Sequence, residues 1–87
     1  MSGLLVLYFK NNRLHQNRLG ITVSKKLGNA VIRNKIRRLI KENYRLREMN
    51  IKDSYDMVIV ARKNAVYSNY HQIGEAMDYL FKKCDLI

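Results

Sequence analysis

Proline and tryptophan are missing from this chain, glycine occurs four times, and cysteine once, at Cys84. A chain without proline and so poor in glycine is not a flexible linker, a collagen-like repeat or a low-complexity tail. One cysteine allows no internal disulfide, and no Cys/His spacing suits structural zinc. The position of Cys84 in an apolar C-terminal segment is that of a buried thiol in a reducing compartment. The longest apolar run, Leu4 to Phe9, is far too short to span a bilayer and lacks the basic flank and cleavage site of a signal peptide. Negative charge is scarce beside positive charge. Seven Asp and Glu stand against seventeen Lys and Arg, for a net charge of +10. Such a balance points to a polyanionic partner, nucleic acid before an anionic membrane surface.

What is present is enough for one small domain spanning residues 1–87. Hydrophobic residues make up 47% and charged ones 28%, so a core forms, and at this size roughly 60–65% of the unfolded surface is buried. Leu4 to Phe9 reads as a first strand, with a turn at Asn11-Asn12-Arg13 and a polar connection from His15 to Arg18. Leu19 to Lys25 alternates loosely and reads as a second strand, so the two suggest a long hairpin. Gly28-Asn29 breaks the pattern, with Asn29 placed to cap a helix. Tyr55 to Ala61 is the strongest strand signal, nearly continuous in apolar residues, as a central strand covered on both faces would be. Tyr70 to Cys84 reads as a second amphipathic helix, with Ile73, Met77, Leu80, Phe81 and Cys84 on one face and Ser68 or Asn69 as cap. The order is β-β-α-β-α. The strand–helix–strand passage implies a crossover, with Leu19–Lys25 and Tyr55–Ala61 parallel neighbours, and general rules would make it right-handed.

The charge is not spread evenly. Ser24 to Arg47 holds nine of the seventeen cations, opposed only by Glu42, and so carries eight of the ten net charges. Ile32, Ile36, Leu39, Ile40 and Asn43/Tyr44 fall on one helical arc, while Arg33, Asn34, Arg37, Arg38, Lys41 and Arg45 sweep the other side. Arg33, Arg37, Lys41 and Arg45 recur every four residues, stacking like charges that destabilise an isolated helix unless a partner neutralises them. A solvated helix face usually mixes signs, and this one does not. Arginine binds phosphate bidentately. Lys25 and Lys26 lie just before the helix N-terminus at Gly28-Asn29, where backbone N–H groups attract anions. The combination is the electrostatic footprint of an RNA- or DNA-binding surface.

Candidates for catalysis are few. His15 and His71 lie far apart in the chain, and Asp53 and Asp56 flank the third strand, a possible divalent-metal pair but more simply a loop acid and a strand-entry acid. There is no phosphate-cradling glycine loop and no nucleophile elbow.

The string Ser24-Lys25-Lys26-x-Gly28-Asn29-Ala30-Val31-x-Arg33-Asn34-x-x-x-Arg38 closely resembles the signature of the bacterial ribonuclease P protein subunit, whose core is Arg33-Asn34 here. Leu5 to Tyr8, Arg18 to Ile21, Tyr55 to Arg62 and Tyr79 to Lys83 resemble the flanking elements of that family, so the resemblance covers essentially the whole chain. It implies an α+β fold, a small two-layer α/β sandwich with a left-handed βαβ crossover, in place of the general handedness rule. It implies an accessory subunit without catalytic residues. Such a subunit binds the catalytic RNA of ribonuclease P and the 5′ leader of precursor tRNA, in the cytoplasm, with neither membrane nor DNA as partner. The cofactor implied is magnesium used by the RNA–protein holoenzyme, with none bound by the protein.

Lys25, Lys26, Asn29, Arg33, Asn34, Lys35, Arg37, Arg38, Lys41 and Arg45 would face RNA, and Val6 and Tyr8 match positions that line the leader cleft. Arg37 stands where the family usually has lysine, keeping the charge while changing its geometry. Family members carry a further N-terminal helix forming one cleft wall; the expectation is that the helix is absent here, where Met1-Ser2-Gly3 precede the first strand, leaving apolar sheet surface exposed. Two other readings stand beside this one. A ribosomal protein of related topology would share the basic helix but not the whole string. A nuclease acting alone would cleave without added RNA.

Overall fold

The structure, a computed structural model, describes residues 3–87. Three strands form one sheet: β1 (Leu5–Asn11), β2 (Arg18–Thr22) and β3 (Tyr55–Ala61). Two helices, α1 (Ala30–Arg47) and α2 (Tyr70–Lys83), complete the expected β-β-α-β-α order, with short 3-10 turns at Lys25–Leu27, Glu48–Asn50 and Lys63–Tyr67. β2 stops short of the expected boundary, because Ser24 accepts from Lys26 N at 3.2 Å and turns the chain out of extended geometry.

β1 and β2 do not pair as a hairpin. The strand order is β1-β3-β2, β3 running antiparallel to β1 and parallel to β2. The parallel β2–β3 neighbourhood is as expected from the crossover; the hairpin is not, because the most apolar strand takes the middle and splits it. The 12–17 loop bridges the gap by gripping the start of β3. Asn12 N donates to Ser54 O at 2.8 Å, Tyr55 N donates to Asn17 Oδ1 at 3.0 Å, and Asn12 Nδ2 donates to Asp56 Oδ1 at 2.9 Å. Arg18 closes the anchor with a bidentate pair to Asp56, at 2.6 and 2.7 Å.

Strand alternation sorts the sheet into two faces. Leu5, Met57, Ile59 and Ala61 are buried against Ile36, Leu39 and Ile40 of α1 and Ile73, Met77 and Phe81 of α2. Leu86 folds back into the same core, its N–H donating to Phe81 O at 2.8 Å. Cys84 is half-buried at the end of α2, rather than fully buried as its sequence neighbours suggest.

The helices are joined by a polar clamp. Asn43, buried among apolar side chains, donates to Leu39 O at 2.9 Å and Tyr70 O at 3.1 Å, and accepts from Arg47 Nη1 at 3.0 Å. Arg47 reaches on to Asp78 of α2, at 2.5 and 3.2 Å. Arg47 is thus committed to the fold, and its hydrogen bond holds the Asp78 carboxyl below the usual range. The two helices approach closely at Gly74, where a Cβ would sit 2.6 Å from Asn43 Oδ1 and 2.9 Å from Arg47 Nη2.

Because Asn43 is held by two carbonyls and cannot move aside, Gly74→Ala is expected to destabilise the fold by about 1–2 kcal/mol despite the better helix propensity of alanine. The check is the denaturation midpoint, and an equal or higher midpoint for the variant would refute the clamp as described.

Candidate nucleic-acid interface

α1 begins at a junction where positive charge gathers. Gly28 adopts φ +154°, and a Cβ there would meet Ile32 at 3.0 Å, so the tight approach of strand exit to helix start needs glycine. Asn29 caps the helix, accepting from Ile32 N at 3.0 Å. The first turn holds no acid, and Lys25 and Lys26 stand exposed just before it. Positive helix dipole and side-chain charge therefore add at the same place.

The cationic ridge is real but not uniform. Each four-residue step advances about 40° around a helix, so Arg33, Arg37, Lys41 and Arg45 spiral outward. Arg33 and Arg37 are half-buried on the shoulder. Arg37 Nη1 donates to Ile21 O of β2 at 3.2 Å, and Arg33 Nε is buried without a hydrogen-bond partner. Asn34, Lys35, Arg38, Lys41 and Arg45 lie on the exposed arc. Glu42 comes no nearer to Arg38 than 3.9 Å, with both side chains at least half exposed, so it screens that arc weakly. Asp56, Asp78, Asp85 and Glu75 are all paired elsewhere, with Arg18, Arg47, Lys52 and His71. The outer arc of α1 is a strip of positive charge with little internal compensation.

A second surface lies on the other side of the sheet. The registers align Val6 with Val60 and Thr22, Tyr8 with Val58 and Gly20, and Lys10 with Asp56 and Arg18, all on the face that neither helix covers. Tyr8 is 62% exposed and Val58 38%. Val6 and Tyr8 therefore share one open face. β3 is central, as its apolar run suggests, but it is not covered on both faces. Val58 and Val60 belong to this open surface and went unread in the sequence, because apolar alternation cannot distinguish a second buried face from an apolar one left bare. Gly20, beside Val58, leaves the surface shallow there.

Of the two acids that flank the third strand, Asp56 is already engaged. Asp56 is saturated by Arg18 and Asn12, whose hydrogen bonds hold its carboxyl down at about 2. The described residues contain no group of three His, Cys, Asp or Glu suited to a metal ion. No described helix is long and apolar enough to cross a membrane.

Comparison with known proteins agrees across sequence and structure. A family model described as Ribonuclease P matches residues 1–85. The ribonuclease P protein component of Alkaliphilus metalliredigens is 50% identical over 84 residues, covering 97% of this chain and 76% of that protein. That of Clostridium botulinum is 49% identical over 84 residues, covering 95% and 76%. The structure of the Staphylococcus aureus RNase P protein superimposes with a TM-score of 0.89 at 38% identity, over 99% of this chain and 79% of that one.

The Asp56 anchor has a pH signature. Its folded carboxyl titrates near 2 rather than the ordinary 3.8, so its stabilising contribution is complete above about pH 4 and is lost as the pH falls toward 2. The expected outcome is that Asp56→Asn flattens the stability–pH profile in that acid window; a profile as steep as that of the unsubstituted chain would show that the anchor contributes nothing.

Proposed function

The chain belongs to the bacterial ribonuclease P protein family, the protein component of the endoribonuclease that matures the 5′ end of tRNA, and from that premise we propose how it serves the reaction: it binds the catalytic RNA through α1 and the unpaired 5′ leader of precursor tRNA across the open sheet face. The observation that carries the first part is the weakly compensated strip of Lys35, Arg38, Lys41 and Arg45, continuous with the helix N-terminus at Asn29 and with Lys25 and Lys26. Cations arranged along a rigid rod meet phosphates along an RNA backbone, releasing condensed counterions as they do so. Asn34 adds an amide on the same arc, while Arg33 and Arg37 contribute from the shoulder.

The leader contact rests on Tyr8, Val6 and Val58. An exposed ring beside a flat apolar strip stacks on unpaired bases and asks little of their sequence. Lys10 at the end of the same face suits the phosphates between those bases. Cutting is RNA chemistry in this reading. The magnesium on which it depends belongs to the RNA, since the acids of this chain are spent on ion pairs or scattered along the surface. The protein brings two polyanions together by lowering the repulsion between them, and it does so in the cytoplasm.

Reconstitution with a bacterial ribonuclease P RNA tests the reading. Cleavage of precursor tRNA at low magnesium should be clearly faster with the chain than with the RNA alone, and the chain without RNA should cleave nothing; no stimulation, or cleavage by the protein alone, would overturn it.

Arg38→Ala is expected to weaken affinity for the RNA subunit and to reduce the slope of log affinity against log salt by about one. The variant fold should be intact because the side chain is exposed. An unchanged slope would argue against a phosphate contact.

A further inference from the structure

A cavity at the N-terminal end of β1 has no part in either surface. It is an open cleft of about 550 Å³ between Leu4, the Lys63–Tyr67 turn and α2, within the size range of small-ligand sites. The rings of Tyr67 and Tyr79 line it together with Asn64, Gln72 and Glu75. Tyr67 is 84% exposed, an unusual position for a large ring with no packing role. Lys83 Nζ lies 5.7 Å from the centre of the Tyr79 ring. Gln72 Oε1 accepts from Asn69 N at 3.1 Å, so its amide N–H groups remain free to donate. Arg62 and Lys63, exposed where β3 leads into the turn, form no ion pair among the described residues.

The lining discriminates among occupants. A phosphate inside the cavity would meet the Glu75 carboxylate, and a purely aliphatic group would make no use of the Gln72 and Asn64 amides. A nucleobase satisfies both kinds of wall, with a π-face for the tyrosine rings and a donor–acceptor edge for the amides and the carboxylate. Its flanking phosphates would fall to Arg62 and Lys63. A leader that crosses Tyr8 and Val6 toward the start of β1 would arrive beside the cavity at Leu4. Leu4 is four residues from Tyr8, about 13 Å along a strand, and the β1–β3 ladder continues to it through Arg62 N donating to Leu4 O at 2.8 Å.

We propose that this cavity is a second single-stranded RNA subsite, which takes one unpaired base of the precursor leader beyond the bases that cross Tyr8 and Val6. The assignment rests on the leader contact described above. Tyr67 supplies the outer stacking face and Tyr79 the inner one, and the site is indifferent to pairing partners because the base it accepts has none.

The test uses the chain reconstituted with a bacterial ribonuclease P RNA and precursor tRNAs whose leaders are lengthened one nucleotide at a time. With the unsubstituted chain, affinity should rise in two stages as the leader first crosses the sheet and then reaches the cavity. Tyr67→Ala should abolish only the second stage, leaving long-leader substrates roughly five- to tenfold weaker, at the low end of what losing a stacked base costs, and short-leader substrates unchanged. Tyr67→Phe should retain the second stage. Long leaders bound by Tyr67→Ala as tightly as by the unsubstituted chain would overturn the subsite alone. Equal weakening of short and long leaders would also overturn it, assigning Tyr67 to another contact. If the unsubstituted chain shows no dependence on leader length, the leader reading fails and the subsite with it.

Discussion

Like charges at four-residue spacing along α1 repel one another, and everything else in the molecule has to hold that helix in place despite them. An isolated peptide of this sequence would lose stability to each repulsive pair. Here the opposite arc sinks Ile36, Leu39 and Ile40 into the core, and Asn43 and Arg47 tie the C-terminal half to α2. Burial of a few branched aliphatic side chains outweighs several screened surface repulsions, since each is worth about 1.5–3 kcal/mol against a few tenths for a charge pair. The helix can therefore present charge outward without compensating acids, and a polyanion is what relieves the remaining repulsion.

The same economy governs the sheet. Three strands offer two faces, and both helices lie on one. The other is left open, with an apolar strip from Val6 and Val60 to Tyr8 and Val58 and a polar end at Lys10, Asp56 and Arg18. Asp56 serves the fold while sitting on the open face. Its pairing with Arg18 and Asn12 ties the start of β2 and the end of β1 to β3. Core and binding surface are two sides of the same strands, which ties the geometry of one to the packing of the other.

A protein that handles RNA in this way needs no acid–base machinery. On the proposed reading its work is positioning and charge neutralisation, and both tolerate variation at single residues better than a catalytic site does. Cations spread along one helix also raise the potential together, and on the proposed reading an exposed ring on an open strand would accept any base that is not already paired.

Much of this was legible along the chain. Helical spacing of apolar residues, a capping asparagine at Asn29 and cations on one arc are local properties, set by the pitch of a helix and the reach of a side chain, and α1 and its charged face follow from them directly. The central place of Tyr55–Ala61 was legible too, as was the motif from Ser24 to Arg38. The split of the β1–β2 hairpin was not, because strand pairing is a competition among distant segments for the most apolar edge. Nor was the divided fate of the cations: Arg33, Arg37 and Arg47 look like Lys41 and Arg45 in a list, and they part company only when β2 and α2 close over the shoulders of the helix. The bare face of β3 has the same origin. Apolar alternation states what a residue prefers, and where the helices pack decides which apolar residues are covered and which are left to meet a partner.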